Sequence, residues 1–213
     1  GHRRASDHTG TGTLMTTENA DLSFLAHESE AMRRAFSALH RAHRLTTVVT
    51  DQEALLAGIT EESQHVAQAE ASSLILYDRE RDDLYFRVAL GKSGDQQKLK
   101  EEVRLKLGEG IAGTAAQTHK SILVEDARSD PRFFTGADET AGFQTRQLLA
   151  VPMVDRDELV GVLEVVNKAG GGVFSELDMQ VMEMFSSLAA TAVINARLIE
   201  EQIRTARLAA IGQ

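Results

Sequence analysis

One stretch constrains this chain more than any other: Val165-Val166-Asn167-Lys168, then Ala169-Gly170-Gly171-Gly172, then Val173-Phe174-Ser175-Glu176-Leu177-Asp178. A β-branched run stops at a polar pair, glycines turn the chain, and a serine opens a helical pattern. Ser175 is the expected N-cap, with Asp178 at N3, and Phe174 can staple onto Met179. A carboxylate in the first turn also suits the helix dipole. The same turn brings Lys168 to Asp178, so an ion pair would tie the last strand to the final helix. Such a pair contributes only ~0–1 kcal/mol when exposed and matters chiefly when buried.

The rest of the chain arranges itself around that strand–turn–helix unit. Residues 1–20 are rich in Gly, Thr, Ser and His; a disordered tail is expected there, with Gly1-His2 an expression remnant. Leu22, Leu25, Met32, Phe36, Leu39 and Leu45 recur at helical steps, predicting a helix over 21–48. Thr50-Asp51-Gln52-Glu53 reads as a capping box with Thr50 as N-cap, opening a second helix to about Gln68. Ser72–Tyr77 and Leu84–Leu90 form a hairpin around the charged turn Asp78–Asp83. A short polar helix or loop follows Gly94. Val103–Leu107 alternates as a half-buried strand. Gly110–His119 reads as a short helix and Ser121–Glu125 as another strand. Residues 126–146 read as a long irregular excursion, the length of a lid. Leu148–Val154 and Leu159–Val166 form the strongest hairpin, with an edge or bulge where Pro152 cannot donate. From Ser175 the pattern is helical to the end, with apolar positions at Val181, Met184, Phe185, Leu188, Ala192, Ile199 and Ile203. After about Ala196 the apolar seam is thin, which suits helix–helix pairing. The class is α+β with a largely antiparallel sheet.

Composition narrows the function. The 213 residues carry a net charge of −9 and no basic block, which argues against nucleic acid as a partner. There is no cysteine, which removes disulfides, thiolate metal sites and cysteine nucleophiles. A reducing, cytoplasmic setting fits. No apolar run approaches ~18 residues, so no membrane contact is expected.

Gly108-Glu109-Gly110-Ile111-Ala112-Gly113 matches G-x-G-x-x-G, with Asp126 beyond the next strand. A dinucleotide site fits poorly, because the helix is too short for a crossover and a hairpin precedes the motif. Two readings stay open: an anion site on the helix N-terminus, or a tight turn that seats a helix. His40 and His43 are spaced i, i+3, yet two imidazoles without a carboxylate make a poor metal site. His119, at a helix end, is best explained by the dipole. No catalytic or metal-ligating set emerges.

These motifs, together with Val124–Phe133, Gly142-Phe143 and Asn167-Lys168…Phe174…Asp178, resemble a GAF domain of the kind in cyclic-nucleotide phosphodiesterases and bacterial adenylyl cyclases. The resemblance assigns residues 49–196 to that domain. It implies a central antiparallel sheet of about six strands, with the long N- and C-terminal helices on one face and a ligand pocket on the other. Ser73, Ile111, Ala112, Phe134, Asp138, Thr145 and Glu164 match the family's pocket positions. Asn167, Lys168, Phe174 and Asp178 match its structural lock.

The chain departs from the nucleotide-binding pattern at Ala89-Leu90, where an aromatic–acidic pair is usual. It departs again at Ala141, in place of a hydroxyl, and at Met179, in place of an acid. These departures speak against cyclic GMP. Arg207–Gln213 resembles the opening of a histidine-kinase dimerisation helix, which makes 197–213 a connecting helix. The expectation is a regulatory domain of a bacterial sensor histidine kinase, not an enzyme. It would bind a small molecule, possibly a cyclic nucleotide, and signal as a homodimer through its N- and C-terminal helices. Asn195 would fix their register. A ligand-free dimerisation and relay module is the alternative.

Overall fold

The computed structural model describes residues 29–44 and 51–211. The N-terminal tail, the ends of the first predicted helix, Thr50 and the last two residues lie outside the described residues. The chain divides after Ser37 into two units. Within residues 29–44, helix α1, the larger apolar residues Met32 and Phe36 are exposed, and the buried positions are Ala35, Ala38 and Ala42.

The second unit is built on an antiparallel sheet of six strands in the order β3-β2-β1-β6-β5-β4. The strands are β1 (Ala69–Asp78), β2 (Asp83–Gly91), β3 (Arg104–Lys106), β4 (Ile122–Val124), β5 (Leu148–Asp155) and β6 (Glu158–Lys168). Helices α2 (Gln52–Ala67) and α6 (Glu176–Ile211) pack together and against the sheet. The short helices α3 (Gln96–Glu102), α4 (Gly110–Thr118) and α5 (Thr135–Ala141) interrupt the strand order. Strand alternation separates the two faces. Ser72 turns toward α2 and donates to the Thr60 carbonyl. Its neighbour Ser73 faces the other way, into the cavity described below. The core on that side joins Ile75, Phe86, Leu105, Ile111, Ala115, Leu148 and Val162.

Several sequence expectations need correction. Asp51, not Thr50, caps α2, accepting from the Glu53 N–H at 3.0 Å; its carboxylate reaches the N2 amide directly. The strand predicted over Val103–Leu107 is only β3, and Val103 is the C-cap of α3. Residues 126–146 are not irregular: they hold a 3-10 turn (Ala127–Ser129) and α5. Gly136, Thr140 and the mixed polarity of that segment masked its helical spacing. On α6 the buried face carries Val181, Met182, Phe185, Ala189 and Val193, whereas Met184 is exposed. α6 also contains an 18-residue window apolar enough to cross a bilayer by composition. Its inner face is instead packed on β5 and β6.

Other expectations hold. Ser175 and Asp178 form the reciprocal cap, with Ser175 N–H donating to Asp178 at 2.8 Å and Asp178 N–H to Ser175 Oγ at 3.2 Å. Pro152 lies where the β4 ladder has already ended at Ala150, one step before a register shift at Met153/Val154. Its missing N–H therefore leaves no gap in a ladder.

Candidate functional site

The sheet register builds a floor. Ala89 on β2, Ser73 on β1, Glu164 on β6 and Ala150 on β5 are successive cross-strand partners. Two polar side chains thus sit side by side, flanked by alanines that leave room above them. Over this floor lie two adjoining cavities of about 70 and 50 Å³. The larger is lined by Ser73, Ala89, Leu90, Gln96 and Phe143. The smaller is lined by Gly110, Ile111, Ala112, Phe133 and Phe134. Phe86, Asp138, Thr145 and Glu164 line both. All seven residues expected in a pocket from the sequence therefore meet around one site.

Their environments differ. Glu164 has no hydrogen-bond partner among the described residues and lines both cavities. Burial pushes its carboxyl up to about 7, and the charge of Asp138 adds to the push. Ser73 is likewise buried with no side-chain partner among the described residues. Asp138 and Thr145 are instead paired with each other, the carboxylate accepting from Thr145 N–H at 2.8 Å and Oγ1–H at 2.6 Å. They staple α5 to the segment entering β5 in addition to facing the cavity. Phe134 stands at the start of α5, over Gly110 and Gly136, where a Cβ would come within 3.1 and 2.3 Å of it.

Of the two readings left open by the sequence, the glycine motif shows the tight turn. Gly108 and Gly110 adopt positive φ, and a Cβ on Gly113 would lie 2.5 Å from the Lys106 carbonyl. This is a tight turn that seats α4. Gly110, Ile111 and Ala112 of its first turn, where N–H groups have no intrahelical acceptor, line the smaller cavity. His119 is an exposed helix C-cap that lines neither cavity. Among the described residues no group of three or more His, Asp or Glu is placed to hold a metal.

The lock lies beside the site. Lys168 Nζ reaches Asp178 at 2.7 Å, largely shielded from solvent, and stands 5.5 Å from the Phe174 ring centre. Asn167, fully buried with φ 55°, accepts from the N–H groups of Arg146 and Gln147 and donates to Glu70 and the Gln144 carbonyl. Sequence reasoning missed Gln147. Its amide donates to the Gly172 carbonyl at 2.6 Å and accepts from Phe174 N–H at 3.1 Å, which joins the end of the lid to the start of α6. A lone glutamine before a strand gives no signal of this. Gln96 was also missed.

A family model described as the GAF domain matches residues 51–193. A probable 3',5'-cyclic phosphodiesterase of Caenorhabditis elegans is 28% identical over 183 residues, 82% of this chain and 25% of that protein. Dual 3',5'-cyclic-AMP and -GMP phosphodiesterase 11 of Drosophila melanogaster is 32% identical over 54% of this chain and 8% of its own length. The chain thus spans a quarter or less of these relatives. Among solved structures, the GAF domain of a phosphoenolpyruvate-protein phosphotransferase from Coxiella burnetii superposes with a TM-score of 0.71 at 20% identity, covering 80% of this chain and 98% of that one. A free methionine-R-sulfoxide reductase from Neisseria meningitidis follows at 0.64 and 18%, covering 78% of this chain and 91% of that one. At these identities the structures share the fold.

Proposed function

This chain belongs to the GAF domain family, and we propose that it is the regulatory, ligand-binding domain of a cytoplasmic bacterial signalling protein. The observation that carries this reading is the pair Ser73 and Glu164, polar groups on a cavity floor whose side chains have no hydrogen-bond partner among the described residues. A ligand with N–H or O–H donors completes these two. That relatives of this chain are cyclic-nucleotide phosphodiesterases supports a cyclic nucleotide as the ligand class. In this reading its phosphate lies beneath the first turn of α4 and its base and ribose in the larger lobe, once that lobe has opened.

Both lobes are far smaller than the ~300–1,000 Å³ of typical ligand sites, so α5 must withdraw to admit a nucleotide and close again over it. The lock and Gln147 tie that movement to α6. In a homodimer formed through the N- and C-terminal helices, a shift of α6 becomes the signal. The likeness of Arg207–Gln213 to a histidine-kinase dimerisation helix supports a kinase as the parent protein.

The closed cavities favour a second reading, a relay module that binds nothing. Mass spectrometry of small molecules released on denaturing the purified protein separates the two. A nucleotide in the released fraction, or a rise in melting temperature with cyclic AMP or cyclic GMP, supports ligand sensing. A blank fraction with no shift across a nucleotide panel supports the relay.

A further inference from the structure

The two lobes hold two carboxyl groups and no cation. Among the described residues, Asp138 and Glu164 are the only ionisable side chains that line either lobe. The elements around Glu164 otherwise bring neutral groups: Ser73 from β1, Ala89 from β2, Gln96 from α3, Ile111 from α4, Thr145 ahead of β5 and its cross-strand partner Ala150. The two carboxyls are unlike. Asp138 accepts twice from Thr145, at 2.8 and 2.6 Å, and Arg128 on the 3-10 turn places a guanidinium nitrogen 3.6 Å from its Oδ2. Its charge is thus already met by donors and a cation. Glu164 accepts no hydrogen bond among the described residues, and the charge that acts on it is the like charge of Asp138.

Resting on the cyclic-nucleotide reading, we propose that Glu164 takes up a proton when the nucleotide binds, so that the pocket senses ligand and pH together. A cyclic phosphate diester keeps one negative charge throughout the neutral range. Beneath the first turn of α4 it meets only the partial positive charge of a helix N-terminus. It therefore adds a negative charge to a space that already holds two carboxyls. A like charge favours the neutral form of a carboxyl. Burial and Asp138 already hold Glu164 at about 7 without ligand, and the phosphate pushes it further up. The neutral carboxyl still accepts through its carbonyl oxygen and gains one O–H donor. It can therefore serve a ligand hydroxyl and a ligand oxygen or nitrogen at once. Binding that takes up a proton weakens as pH rises. The opposite sign would follow if ligand donors held Glu164 ionised, since binding would then release a proton.

Titration calorimetry of the chain with cyclic AMP, at about pH 6, 7 and 8 and in two buffers of different ionisation enthalpy, reads both affinity and proton exchange. Wild-type affinity is expected to be about five- to tenfold weaker at pH 8 than at pH 6, with uptake of about 0.4–0.5 proton per nucleotide at pH 7. Glu164→Gln, checked for a native melt, cannot titrate and should lose both effects. The carbon-13 shift of the Glu164 carboxyl reads the same proton without a variant: cyclic AMP added near pH 7 should move it toward the neutral form. Equal wild-type affinity at pH 6 and 8, affinity that rises with pH, an unmoved carboxyl signal, or the same uptake in Glu164→Gln overturns the inference. No binding at any of the three pH values overturns the cyclic-nucleotide reading and the inference with it, a result distinct from binding without proton uptake.

Discussion

Glu164 shows how one residue's surroundings become a measurable property. Burial and the Asp138 charge raise its carboxyl to about 7 from an ordinary 4.5. Between those values the folded protein holds a proton that the unfolded chain has lost, so stability falls as pH rises through that window and levels off above it. Glu164→Gln removes the effect. It is expected to raise the unfolding free energy at about pH 8 by on the order of 2–3 kcal/mol and to leave it unchanged near pH 4. Denaturant melts at both pH values measure this, and an equal gain at both would contradict it. Asn167 is the opposite case, a buried polar residue whose side chain is fully used. Its left-handed φ is one that asparagine tolerates. Asn167→Ala leaves two N–H groups, a carbonyl and the Glu70 carboxylate short of a partner. A loss of about 2–4 kcal/mol in urea melts is expected.

Between elements, contact depends on how closely backbones approach. Gly161 lies where β6 crosses β1, and a Cβ there would be 2.0 Å from the Ile75 carbonyl. Gly161→Ala is therefore expected to cost at least about 2 kcal/mol, read as a lower melting temperature. Gln147 joins the lid to α6 without touching the cavity. Gln147→Met should leave nucleotide affinity within a fewfold of wild type while releasing the first turn of α6, seen as faster amide exchange at 176–180. How far the sequence revealed these elements follows from the same physics. The strands around Ser73 and Glu164 are apolar runs bounded by turn residues, and the cap at Ser175 is purely local, so both were legible. The α5 helix was not, because Gly136 and its polar neighbours hide a seven-residue helix held by contacts with Thr145 and α3. Gln147 acts through partners far along the chain, Gly172 and Phe174, and no spacing marks it.

At the scale of the molecule, the sheet carries the two cavities on one face and α6 on the other. Beyond Ala196 that helix exposes Ile199, Ile203, Leu208 and Ile211. Ala196, Ile199, Ile203, Ala206 and Ala210 follow the three–four spacing of a coiled-coil seam. If this seam holds two copies together, Ile199→Glu with Ile203→Glu should convert a dimer to a monomer in light scattering while the sheet stays folded. Asn195 stands beside this seam, one residue before Ala196; Asn195→Leu tests the register role, since an unchanged dimer state and order in solution scattering would remove it. The central claim is that ligand capture under α5 is felt at α6. Hydrogen–deuterium exchange with and without saturating cyclic AMP tests it most directly. The account expects slower exchange both in residues 135–147 and in residues 176–200. Protection confined to the lid, or no change in either segment, would contradict it.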